Sequence, residues 1–300
     1  MFKKLFAILL VVLTLVSIFP SVSMAEEPVN IVADGEEDTF EPLTPELRGL
    51  SFPSKYYKKT CSKKGKVYTH YLNDNKNRKV YVWVPYKYNK NTNYELVILM
   101  HGRGDNEKSW IQTKHKVNNK KMTGQNLFNW MTYDKVCKPF IVVSFNCHDK
   151  YFPTLMNDIK DIIKLVSINY STYVKGTCSD EDIIAARDHI ILGGLSRGSG
   201  NTCWFMSENL EYVGNYICMS GTRCYDEIVE KLENSEYGIT NYFTACGKND
   251  TKYQPDLIKY YNTIQRYSKN NLCVLYKGAG HDWKTWYSGV YDALKFMIPR

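Results

Sequence analysis

The chain reads as an α/β fold, a mainly parallel sheet with helices on both faces. Three observations lead there. Short apolar runs recur along most of its 300 residues, and they are unbroken rather than alternating, as in strands covered on both faces. Amphipathic stretches with helical period lie between them. Strand and helix therefore alternate, which is the pattern of parallel α/β domains.

The strand pattern begins with Val80-Tyr81-Val82-Trp83-Val84, which is β-branched and aromatic. Glu95 to Met100 follows and ends at His101-Gly102. Phe140 to Phe145, Ile190 to Gly194, Asn215 to Met219, Tyr242 to Ala245 and Leu272 to Tyr276 complete the set. Between them, Met156 to Ile168 gathers Ile159, Ile162, Ile163, Leu165 and Val166 on one side, with Lys and Asp opposite. Asn201 to Asn209, Asp256 to Tyr267 and Trp283 to Met297 read as further helices. No internal repeat and no second domain is visible.

The N-terminus has the form of a signal peptide. Lys3 and Lys4 precede an apolar run from Leu5 to Phe19, and Ser23-Met24-Ala25 offers small residues for cleavage after Ala25. The run is about 15 residues, shorter than the ~20 that a spanning helix needs. Residues 26–50 read as an acidic linker: Glu26, Glu27, Asp34, Glu36, Glu37, Asp38, Glu41 and Glu46 face only Arg48, and Pro28, Pro42 and Pro45 punctuate it. Such a stretch is expected to stay extended and solvated. Residues 51–300 are then the folded domain. A secreted, extracellular protein without a membrane anchor after cleavage is expected, and a monomer.

The whole chain carries a net charge of +8, so removal of the acidic linker leaves a strongly basic remainder. That excess suits an acidic polysaccharide or cell surface. It does not indicate nucleic acid, because the Lys residues are scattered and no basic motif of a nucleic-acid-binding fold appears. The nine cysteines include no CxxC pair, which argues against a cysteine-built zinc site. Cys218 and Cys246 lie inside strand patterns and read as small buried hydrophobes. The 24 tyrosines fill half-buried strand positions, and they also suit sugar or phenolic ligands.

The chemistry concentrates after the strands. Gly194-Leu195-Ser196-Arg197-Gly198 fits G-x-S-x-G between an apolar strand and a helical stretch, the context that a nucleophile elbow requires. Ser196 is the candidate nucleophile. The glycines are needed because side chains there would strike neighbouring backbone. His281, in Gly280-His281-Asp282-Trp283 after the last strand, is the candidate base; His148 is a weaker competitor, and His70 and His189 read as structural. The chain order Ser, acid, His points to Asp250 in Gly247-Lys248-Asn249-Asp250, with Asp226 as runner-up. Asp282 reads as a helix cap. Backbone N–H groups of Arg197 and of Arg103, in His101-Gly102-Arg103-Gly104, are the expected oxyanion donors, with Gly102 or Gly104 as alternatives. Trp110, Trp283 and Trp286 are candidates for stacking on a ligand ring, though Trp283 and Trp286 also fit the core of the last helix.

These residues resemble carbohydrate esterase family 1 of the α/β-hydrolase superfamily, most closely the feruloyl esterase domains attached to bacterial xylanases. The likeness spans roughly residues 65–300. It rests on Val84-Pro85-Tyr86, Leu99-Met100-His101-Gly102, Tyr170-Ser171-Thr172-Tyr173, Gly193 to Gly198, Met219-Ser220-Gly221, Asp250 and Gly280 to Trp283 in that order. The resemblance implies Ser196, Asp250 and His281 as a triad, no metal or other cofactor, and esters on plant xylan as substrates, with feruloyl or related hydroxycinnamoyl groups foremost and acetyl or other small acyl groups as the alternative. A non-catalytic carbohydrate-binding module on this fold is a remote third reading. The family often has Met and two glycines after its nucleophile; here Arg197, Gly198 and Ser199 stand there, and Arg103 stands where glycine is common.

Overall fold

The structure, a computed structural model, describes residues 44–72, 78–147, 152–223 and 225–300. The signal-peptide and most of the acidic-linker readings, together with His148 and Cys224, lie outside the described residues. In chain order the elements are β1 (Glu46–Arg48), α1 (Lys55–Lys58), β2 (Lys66–Tyr71), β3 (Lys79–Val84), β4 (Glu95–Met100), β5 (His115–Val117), β6 (Lys120–Met122), α2 (Gly124–Tyr133) and β7 (Phe140–Phe145). They continue as α3 (Phe152–Asn169), α4 (Asp180–Ala185), β8 (Ile190–Leu195), α5 (Arg197–Glu208), β9 (Asn215–Met219), α6 (Tyr225–Asn234), β10 (Ile239–Gly247), α7 (Gln254–Ile264), β11 (Ser268–Tyr276) and α8 (Trp283–Met297).

Among the described residues, nine strands form one sheet in the order β1-β11-β10-β9-β8-β4-β7-β3-β2. Its pairings are parallel from β1 through β7, and the β7–β3 and β3–β2 pairings are antiparallel. The strand sequences explain this. Residues of β4 and β8 are buried on both faces, as parallel crossovers require. Strand β2 is half exposed, and an antiparallel edge tolerates that.

The two faces of β4 feed different cores. Leu96, Ile98 and Met100 join Ile159, Ile162 and Ile163 of α3. Val97 and Leu99 join Leu127 and Phe128 of α2 and Val290 and Leu294 of α8. Each fully buried aliphatic side chain contributes about 1.5–3 kcal/mol of transfer free energy. The isoleucine stripe of α3 thus faces the sheet as its period indicates, and α8 has the bounds expected from sequence.

From β4 the chain leaves toward β7, whereas from β8 it leaves toward β9. The connections diverge between these adjacent strands, and such a switch point opens a crevice at the carboxyl ends. Both candidate loops, after Met100 and after Leu195, emerge there.

The acidic segment does not remain free to residue 50. Glu46, Leu47 and Arg48 pair in parallel with Val274, Leu275 and Tyr276 at the sheet edge. The reason is a buried acceptor. Asp292 of α8 is 5% exposed; it takes an ion pair from Arg48 Nη1 at 3.1 Å and a hydrogen bond from Tyr276 Oη at 2.7 Å.

All eight described cysteines are buried free thiols. Cys218 and Cys246 sit within β9 and β10 as small hydrophobes. Cys203 and Cys218 approach to 3.8 Å between sulfurs as a weak hydrogen bond.

Candidate active site

The turn between β8 and α5 positions Ser196. Its φ is 51° and ψ is −113°, a conformation that L residues rarely adopt and that costs on the order of 1–3 kcal/mol. The surroundings hold it there. Ser196 N–H donates to the Met219 carbonyl at 2.8 Å, and Gly200 N–H donates to the Ser196 carbonyl at 3.1 Å. Gly198 packs on the end of β4, where a Cβ would lie 2.8 Å from the His101 carbonyl oxygen. Gly221 packs on the turn itself, where a Cβ would lie 3.0 Å from the Ser196 carbonyl carbon. Ser199 Oγ donates to the Gly221 carbonyl. The half-buried Ser196 side chain therefore stands at the start of a helix whose first N–H groups have no intrahelical acceptor.

Asp250 and His281 are brought together. His281 Nδ1 donates to Asp250 Oδ2 at 2.7 Å. The Asp250 side chain is almost fully buried, while His281 keeps about a third of its side-chain surface open, 34%. This bond fixes the tautomer: with Nδ1 carrying the proton, Nε2 of the neutral ring is left to accept one. Gly247 lets the two loops approach, because a Cβ there would run into the Ala279 and Gly280 carbonyls. The Asp250 carboxylate does not cap α7; its main-chain carbonyl accepts from Tyr253 and Gln254 instead. Asp282 does cap α8, accepting from Lys284 N–H at 3.0 Å and Thr285 N–H at 3.1 Å. Asp226, the runner-up acid, is exposed in the first turn of α6, and the carboxylate bonded to His281 is that of Asp250.

The loop after β4 passes over Ser196. A Cβ on Gly102 would lie 3.5 Å from Ser196 Cβ. Asp105 N–H donates back to the Gly102 carbonyl at 3.3 Å, and Gly104 has φ 84°, so Arg103 occupies the second position of a tight turn that glycine permits. His101 is fully buried beneath it. Its Nδ1 donates to the Gly102 carbonyl at 2.9 Å, and its Nε2 accepts from Cys147 N–H at 3.3 Å. A neutral imidazole thereby braces the loop. Burial pushes the neighbouring Cys147 thiol up to about 12, well clear of the range for a nucleophilic thiolate.

The tryptophans depart from expectation. Trp110 is fully buried, with its Nε1–H on the Met100 carbonyl at 2.9 Å, so it anchors the β4 loop from beneath and presents no face to a ligand. Trp283, 9% exposed, stacks on His115 at 3.6 Å and meets Trp110 edge-on at 5.0 Å. Sequence proximity to His281 suggested a ligand platform for Trp283; the first turn of α8 instead packs its ring against His115 and Trp110. Trp286 belongs to both worlds. It is buried, lies 5.2 Å from the His281 ring at 89°, and donates from Nε1 to Ser220 Oγ at 3.3 Å.

Two contributors escaped the sequence reading. Ser220 has φ 52° and its N–H donates to the Ala245 carbonyl at 3.0 Å, which aims Gly221 at the Ser196 turn; the Met219-Ser220-Gly221 triplet was its only signal. Tyr253 stacks on His281 with centroids 4.7 Å apart and planes at 24°, and nothing local in the sequence announces it. Among the described residues, no group of three His, Cys, Asp or Glu could hold a metal ion, and no helix is long and apolar enough to cross a membrane.

No family model matches the chain. Endo-1,4-beta-xylanase Y of Acetivibrio thermocellus is 28% identical over 266 residues, which are 81% of this chain and 24% of that protein. The chain thus spans about a quarter of that relative's length. Among solved structures, a serine-to-alanine mutant of the feruloyl esterase module from Clostridium thermocellum, complexed with sinapinate, superposes with a TM-score of 0.67 at 24% identity, covering 84% of this chain and 94% of the other. A CE1 ferulic acid esterase of the anaerobic fungus Anaeromyces mucronatus, in complex with ferulic acid, gives 0.59 at 17% identity, covering 83% and 96%. These likenesses show the fold: the chain has the α/β-hydrolase fold.

Proposed function

We propose that this α/β-hydrolase is an extracellular serine carboxylic ester hydrolase that releases feruloyl or related hydroxycinnamoyl groups from plant xylan. The observation that carries the reading is the 2.7 Å bond from His281 to buried Asp250, at the same sheet rim as a serine held at φ 51°. The substrate class is drawn from the similar proteins, whose names include a xylanase and feruloyl esterases complexed with hydroxycinnamates.

In the proposed reaction, the Ser196 oxygen attacks the ester carbonyl while its proton passes to His281 Nε2. Asp250 stabilises the imidazolium and does not itself take the proton. The negative charge on the former carbonyl oxygen meets the backbone N–H groups of Arg197 and of the Arg103 turn. The C–O bond to the sugar breaks, and the sugar oxygen takes the proton from His281. Water then attacks the acyl-serine, giving its proton to His281 and releasing the acid as the serine regains a proton. No cofactor enters these steps. A cleavable leader before residue 26 and a monomeric state are part of the same proposal.

The test is turnover of methyl ferulate, methyl sinapate, feruloylated arabinoxylan fragments and acetylated xylan by wild type and Ser196→Ala. Ferulate release that Ser196→Ala abolishes supports the reading. Acetate release alone moves the substrate to small acyl groups. Turnover that survives in Ser196→Ala refutes the assignment of the nucleophile.

A further inference from the structure

The turn that carries Asp250 also carries an aromatic ring that the proposed reaction does not yet use. Tyr253 N–H donates to the Asp250 carbonyl at 3.2 Å, so ring and carboxylate are fixed in one short segment. The ring lies nearly parallel to the His281 imidazole, with centroids 4.7 Å apart and planes at 24°. Trp286 closes on the same imidazole at 5.2 Å and 89°. Its own ring is tied to Ser220 Oγ at 3.3 Å. The imidazole thus has a carboxylate bonded at Nδ1, a tyrosine face along its plane and a tryptophan across it.

We propose that Tyr253 is a positioning residue for His281, holding the plane of the ring and stabilising it while it carries the proton from Ser196; the inference rests on the esterase reading above. The physical ground is the ring quadrupole. An aromatic face is negative, and it attracts a cation lying over it within about 6 Å of its centroid. Neutral imidazole gains little from that face, whereas imidazolium gains more, so the contact strengthens as the reaction proceeds.

Other charges near the imidazole do not substitute for the ring. From the β10–α7 turn come Asp250, already bonded to Nδ1, exposed Lys248, and Lys252, whose Nζ sits 5.2 Å from the Tyr253 centroid. From the start of α8 come Asp282, turned to cap the helix, and Lys284, whose Nζ donates to the Gly278 carbonyl at 2.8 Å. The lysines oppose the imidazolium and Asp250 favours it. Tyr253 is the aromatic face stacked along the ring.

The experiment compares wild type with Tyr253→Phe, Tyr253→Leu and Tyr253→Ala. The readouts are kcat and KM on methyl ferulate across pH and the ¹⁵N-histidine titration of His281, assigned with His281→Gln. Tyr253→Phe keeps the face and is expected to match wild type. Tyr253→Leu and Tyr253→Ala are expected to lose about three- to tenfold in kcat with KM little changed, the scale of one cation–π contact at a partly exposed site. In both, His281 gives up its proton at lower pH, and the acid limb of kcat/KM moves the same way. Leu keeps bulk beside α7, so a folding defect confined to the alanine variant is recognised. A His281 titration in Tyr253→Leu equal to or above that of wild type overturns the inference. If the titration shifts down but no ester is turned over by wild type, the esterase reading falls and the Tyr253–His281 coupling stands.

Discussion

Ser196, Asp250 and His281 are each meaningful only through what surrounds them. In the proposed reaction Ser196 acts from a strained turn, His281 through a carboxylate on Nδ1, and Asp250 from burial beside that imidazole. Ser196→Ala is therefore expected to lower kcat on methyl ferulate by on the order of 10⁴–10⁶ while the melting temperature stays close to wild type. Asp250→Asn places an N–H₂ or a neutral oxygen against Nδ1 and frees the ring to take the wrong tautomer. A loss on the order of 10⁴ in kcat is expected, with KM less affected. An Asn variant with near-normal turnover would transfer the acid's role elsewhere. The tryptophans mark where local reading stops: Trp110 and Trp283 are large aromatics near the site loops in sequence, yet Trp110 is fully buried with its N–H satisfied and Trp283 packs on His115.

The decisive element is the pair β8 and α5. Its turn was legible because two constraints coincide in five residues: an apolar strand ending in glycines, and a serine at the start of a helix. What the sequence did not reveal is which surfaces those glycines meet. Gly198 lies against the end of β4, and Gly221, from the loop after β9, lies against Ser196. Gly198→Ala is expected to push α5 off β4. Overpacking of this kind costs about 1–3 kcal/mol, and the misplaced serine is expected to lose activity well beyond the fraction unfolded. A urea titration beside an activity assay on the same preparation separates these effects; equal stability with full activity would show that the strand end yields freely. The helix α6 and the β5–β6 hairpin were not read from sequence: α6 does carry a helical period in Tyr225, Ile228, Val229 and Leu232 that the reading passed over, whereas strands of three residues are too short to show one.

At the scale of the molecule, β1 closes the sheet with residues that read as linker. Arg48 ties that strand to Asp292. Arg48→Ala leaves the carboxylate its Tyr276 and Ser51 hydroxyl donors, so a loss of only about 1–2 kcal/mol in unfolding free energy is expected, Arg48 being partly exposed. No change by chemical denaturation would make β1 dispensable. Stability should also depend on two half-buried histidines. Burial holds His70 and His115 below the ordinary histidine range, so the unfolded chain takes protons near pH 6.5 that the native state refuses. Their contribution is full above about pH 6.5 and is lost as pH falls toward the native values. The urea midpoint is expected to drop between pH 7.5 and pH 5.5, and to drop less in His115→Gln, which keeps a donor for the Ser109 carbonyl that His115 Nε2 reaches at 3.0 Å. An identical pH slope in the variant would remove His115 from this account.

Alternation of apolar strands with amphipathic helices and the G-x-S-x-G turn are properties of short windows, and the sequence by itself determined them. Hydrophobic period and backbone sterics act over a few residues, so they can be read in place. The sheet order, the joining of Glu46–Arg48 to β11, the inward turn of Trp110, and the approach of Tyr253 and Trp286 to His281 were decided only by tertiary structure. Each depends on which surfaces, distant in the chain, exclude water together, and no local pattern encodes that choice.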